Sequence, residues 1–81
     1  MSRYEGLLLL DVVEDMNGWK EHPMRGIGNL WTKGNVELVI EFNEEHGDWE
    51  LWYQSDEWAD LIDAGDYEQV KRSAIEFMMN H

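Results

Sequence analysis

Eighteen aspartates and glutamates are the side chains with which this 81-residue chain could do chemistry, beside three histidines, six lysines and arginines, and no cysteine. Carboxylates act as general acids or bases only where burial or a special partner moves their pKa, and these are expected to be exposed. Nucleophilic catalysis needs a hydroxyl or thiol with a base in reach and a donor pocket beside it. Ser2, Ser55 and Ser73 instead fall where helix capping or a helix surface explains them. His22, His46 and His81 are expected in loops or at the terminus, without the spacing of metal ligands, and are read as solvated.

Other chemistries are excluded in the same way. A calcium loop alternates oxygen ligands around a central glycine, whereas the acids from Asp56 to Glu68 recur every three or four residues. Gly26 and Gly28 lack the strand and helix that would make a phosphate loop of them. Without cysteine there is no thiolate zinc site and no disulfide framework. The expectation is a non-enzymatic protein with no cofactor and no metal, in a reducing compartment, the cytoplasm. Leu7 to Leu10 is too short and too closely followed by acids for a signal or membrane segment.

The placement of charge is more informative than its sum of −12. Between Lys33 and Lys71 there is no basic residue, while that interval holds Glu37, Glu41, Glu44, Glu45, Asp48, Glu50, Asp56, Glu57, Asp60, Asp63, Asp66 and Glu68. These twelve account for the whole net charge, because the six remaining acids are matched by the six basic residues of the flanks. Such a chain is repelled by nucleic acid and by anionic membranes, and favours a basic protein as partner.

The elements that must position these residues follow from periodicity, within one small domain. Ser2 and Glu5 fit a capping box, and Leu8, Leu9, Val12, Val13 and Met16 share a helical face, so a helix is expected over residues 3 to 17, ending at Gly18. Leu7 to Val13 also fits a buried strand. Short strands are expected over 27–32, 36–42 and 49–54, joined as an antiparallel meander. Asp56 to Ala64 carries Trp58, Leu61 and Ile62 on one side and Asp56, Asp60 and Asp63 on the other, which predicts a short helix. Asp66 caps a last helix from Tyr67 to about Asn80, with Tyr67, Val70, Ala74, Phe77 and Met78 facing inward. The predicted fold is α+β, in the order α-βββ-αα.

On that fold the strand alternation that turns Trp49, Leu51 and Tyr53 inward turns Trp52 outward, beside Val39 and among Glu37, Glu41 and Glu50. An indole framed by carboxylates is a binding anchor, unless another part of the chain, such as the N-terminal helix, covers that face. Trp49 and Trp58 are expected in the core, whereas Trp19 and Trp31 fall in stretches too irregular to place.

The expected interaction site is Glu37, Glu41, Glu44, Glu45, Asp48, Glu50, Trp52, Asp56, Glu57, Asp60 and Asp63. In size and charge the chain is like two broad groups, phage-encoded DNA mimics that inhibit host defence or transcription, and immunity proteins that neutralise nuclease toxins. The expected function is neutralisation of a basic, nucleic-acid-interacting protein by charge mimicry. The alternative is a structural or adaptor subunit that binds through exposed aromatics and a sheet edge. Whether the chain pairs with itself is left open.

Overall fold

The computed structural model describes residues 14–22 and 28–81. Six strands, β1 (Glu14–Met16), β2 (Trp19–His22), β3 (Asn29–Lys33), β4 (Val36–Asn43), β5 (Asp48–Gln54) and β6 (Ala59–Gly65), precede one helix, α1 (Tyr67–Asn80). They form a single antiparallel sheet in sequence order, with the five longer strands making its body and three-residue β1 its lip. The α-βββ-αα arrangement is therefore corrected to a β-meander with one C-terminal helix.

Two local features account for the correction. Most of the helix expected over residues 3 to 17 lies outside the described residues, but where they meet, Glu14–Met16 is strand. Asn17 and Gly18, at φ of 54° and 88°, form the Asn-Gly turn that suits the right-handed twist of a hairpin. Gly18 is thus a turn residue and not a helix stop.

The second expected helix, 56–64, is largely β6. Leu51 pairs with Asp63 and Trp52 with Leu61, which leaves Ile62 as an extra residue in a β-bulge. Alternation back from Asp63 turns Ile62 to the same face as Leu61, and two successive apolar residues on one face break the period of two. A bulged strand therefore carries the spacing of an amphipathic helix.

One face of the sheet is the core. Trp19, Trp31, Leu38, Ile40 and Leu51 meet Val70, Ala74 and Met78 of α1, all of them essentially inaccessible to solvent. The stripe expected on the last helix is the one observed, and Asp66 caps it by accepting a bond from the Gln69 N–H at 2.8 Å. Replacing Asp66 by alanine should lower stability by about 1 kcal/mol, the usual worth of such a cap, which urea unfolding will read.

At the other end of α1, the Asn17 amide donates to the Met78 carbonyl at 3.2 Å and Lys33 donates to the His81 carbonyl. A cation at the negative end of the helix dipole is favourable. These two contacts fasten the β1–β2 and β3–β4 turns to the helix terminus. Trp19 and Trp31, unplaced by sequence, prove to be core residues, whereas Trp58, expected inside, is 42% exposed and meets Tyr53 edge-on at 5.0 Å.

Candidate functional site

The face of the sheet opposite α1 gathers five of the eleven expected site residues, Glu37, Glu41, Asp48, Glu50 and Trp52. Register carries one cross-strand row over it: His22 pairs with Leu30, Leu30 with Val39, Val39 with Trp52, and Trp52 with Leu61. Four apolar side chains from β3 to β6 thus stand in line, each roughly 4.8 Å from the next. Leu61 at the end of the row is 51% exposed, and Ile62 beside it 38%.

Carboxylates border this row on both sides. Toward the β3–β4 turn stands Glu37, paired with Gln54, whose amide donates to Glu37 Oε1 at 3.0 Å. On the other side Glu41 and Glu50 are direct cross-strand partners, and Asp48 follows beyond them. The Trp52 indole N–H donates to Glu50 Oε1 at 3.0 Å, and the Asn43 amide to Glu50 Oε2 at 2.7 Å. The Asn43 amide first, and the indole second, hold the Glu50 carboxyl below its ordinary range, so it stays charged. On β2, Lys20 pairs with Thr32 on one side and with Glu14 of β1 on the other, and His22 is hydrogen-bonded to Thr32 Oγ1 at 2.7 Å.

Like charges directly opposite each other destabilise a sheet. Glu41 and Glu50 are such a pair, and Glu41 is exposed. The two bonds that Glu50 accepts disperse part of its charge, and none of the hydrogen bonds among the described residues does the same for Glu41. A cation laid between them would relieve the repulsion.

The other expected site residues are elsewhere. Glu44 and Glu45 are exposed in the β4–β5 turn, which Asn43 organises by accepting bonds from the backbone of Glu45 and His46. Asp56 and Glu57 are exposed at the opposite end of the sheet, in the β5–β6 turn, lining a shallow cleft with Trp58 and Asn35. Asp60 and Asp63 pair with Tyr53 and Leu51, which turns them to the helix side of the sheet. The shared acidic face expected for Asp56, Asp60 and Asp63 does not exist, because the helix that would have made it is a bulged strand.

Asp63 has structural work of its own. Ser73 donates to Asp63 Oδ2, and the Ala64 N–H and the Gln69 amide add further bonds. Ser73 first, then those two, hold its carboxyl below the ordinary aspartate range. A carboxyl whose folded pKa is depressed stabilises the protein above its unfolded value and loses that contribution as pH falls through the folded one. Ser73→Ala should therefore cost about 1 kcal/mol at neutral pH. The difference from wild type should fade below about pH 4, the unfolded aspartate range, which thermal unfolding across pH will show.

One grouping is not visible in the spacing rules applied to the sequence. Donor atoms of His46, Asp48 and Glu50 lie within 4.8 Å of one another at the β4–β5 turn. Asp48 Oδ1 is buried without a hydrogen-bond partner among the described residues. These three could hold a divalent cation, although both oxygens of Glu50 are already engaged. The signal is the alternate spacing 46, 48, 50 at the start of a strand, which brings every second side chain to one face.

Among the described residues no helix is long and apolar enough to cross a membrane. Comparison with protein-family models, with curated proteins and with solved structures finds no match to this chain.

Proposed function

We propose that the chain is a non-enzymatic, cytoplasmic binding protein that lays its acidic sheet face on a basic protein whose own ligand is nucleic acid, and so neutralises it. A phage-type inhibitor of host defence or transcription and an immunity protein for a nuclease toxin are the two settings in which such neutralisation is useful. One observation supports the reading above the rest: an apolar row with an indole at its centre runs across four strands with carboxylates on both sides. Charge complementarity would speed encounter, and burial of Trp52 and Leu61 would slow release. Among the described residues both serines have structural partners, which suits a role without catalysis: Ser55 Oγ accepts the Glu57 N–H, and Ser73 donates to Asp63.

Capture from a host lysate tests this with three baits: the wild-type chain, Glu41→Lys on the face opposite α1, and Asp60→Asn on the helix side. A basic protein held by the wild type and by Asp60→Asn, lost with Glu41→Lys and released by salt supports the reading. The same protein held equally by all three baits contradicts it.

A second reading has its own observation. The outer edge of β6 carries no paired strand among the described residues, and Leu61 and Ile62 are exposed beside it. An adaptor could add a strand there. Such an interface would respond little to salt, whereas the proposed one weakens as ions screen it.

A further inference from the structure

Among the described residues no helix packs on the face opposite α1, and any partner of that face must match an apolar line with negative borders, whose dimensions narrow the partner's shape. Three inter-strand steps separate Leu30 from Leu61, a span of about 14 Å. A helix covers that length with about ten residues, and its apolar positions recur at each turn of 5.4 Å. That repeat nearly matches the spacing of the row, so successive turns of a helix can seat on successive strands.

The bordering carboxylates lie two residues along their strands from the row, about 6.7 Å away. A helix with its side chains is about 10–12 Å across. Residues flanking the apolar stripe therefore descend over Glu37 on one side and over Glu41 and Glu50 on the other.

Resting on the reading of this face as the binding surface, we propose that the partner's docking element is a basic amphipathic α-helix. It lies across the strands, its apolar stripe on the row from Leu30 to Leu61 and its lysines or arginines on Glu37, Glu41 and Glu50. Alternative occupants fit less well. An extended segment lying flat on the face would leave its backbone polar groups unpaired. A second copy would set these same acids against each other. Nucleic acid and anionic lipid would meet like charge.

The placement of charge on the face also positions the helix. Lys20 and His22 lie on β2, opposite Thr32 and Leu30, and Lys20 is itself paired with Glu14 of β1, while the carboxylates that border the row stand on β4 and β5. The cationic residues of the partner therefore belong over β4 and β5. An arginine there can also stack on the Trp52 indole.

Synthetic peptides of about 14 residues test the proposal against the whole chain by calorimetry and circular dichroism. One carries leucines at helical spacing flanked by lysines, a second scrambles that composition to abolish the stripe, and a third alternates leucine and lysine as a strand would. The helical peptide is expected to bind at least about tenfold more tightly than the scrambled one and to gain helix content on binding. Its affinity should fall about tenfold with Leu61→Ser and stay unchanged with Asp60→Asn.

Equal binding of the helical and scrambled peptides would overturn the helix while leaving a basic partner in place. Preference for the alternating peptide would overturn it in favour of the β6 edge. Failure of all three to bind would remove the basic-partner reading as well.

Discussion

Gly28→Ala should lower the unfolding free energy by about 3 kcal/mol or more, enough to leave a domain of this size marginal. Gly28 stands at φ of 123°, and a methyl group there would come within 2.3 Å of the Ile40 carbonyl oxygen. Both the left-handed backbone and the collision count against alanine, and the colliding atom is backbone in the middle of β4, which cannot turn aside. Domains hold about 0.05–0.15 kcal/mol per residue, so this loss is a large share of the total.

The control is Gly34→Ala. At φ of 63° it meets the same backbone objection, but no atom of the described residues lies within 4 Å, so its cost should stay near about 1 kcal/mol. Urea unfolding of the two variants separates conformational strain from collision. The result also bears on the binding face, because the close approach at Gly28 leads β3 into the register that sets Leu30 beside Val39.

Glu37→Gln with Glu41→Gln should weaken binding of a lysine-rich amphipathic peptide by about 10- to 100-fold, or roughly 1.4–2.8 kcal/mol. It should do so without loss of stability. The two residues take one charge from each side of the apolar row. A glutamine in place of Glu37 would still accept the bond from the Gln54 amide through its own carbonyl, and one in place of Glu41 would remove the repulsion facing Glu50. A gain of a few tenths of a kcal/mol in folding is expected from that relief. Calorimetry near about 0.05 M and 0.2 M salt gives the binding term, and thermal unfolding gives the other. A double variant that binds as the wild type does would show that the carboxylates only keep the chain in solution.

Much of the C-terminal half is legible from pattern. The helix Tyr67–Asn80, its Asp66 cap and its buried stripe follow from a 3.6-residue period that nothing local contradicts. Val36, Leu38, Ile40 and Phe42 alternate cleanly, and with them comes the outward set of Glu37, Val39, Glu41 and, across the turn, Glu50 and Trp52. That core of the site is readable because alternation in an unbroken strand fixes which face each residue takes.

Illegibility begins where a strand is not regular. The bulge at Leu61 and Ile62 imitates helical spacing, so β6 reads as a helix, and that reading groups Asp60 and Asp63 with acids from which the sheet separates them. Asn17-Gly18 is a strong hairpin signal, but the acidic and apolar run before it also suits a helix, and Gly18 serves either as a turn or as a stop. Leu30 and Leu61 cannot be joined to Trp52 from sequence. Which residue of β3 or β6 stands opposite depends on register, and register depends on the tight contact at Gly28 and on the bulge.

Methyl and indole N–H shifts recorded while the lysine-flanked helical peptide is titrated into the chain test most directly whether the face opposite α1 binds. The Trp52 indole and the methyls of Val39, Leu61 and Ile62 should move together, while the Trp58 indole and the methyls of Val70 and Ala74 stay in place. Movement confined to Trp58 or to the helix, with Trp52 unchanged, would contradict binding on that face.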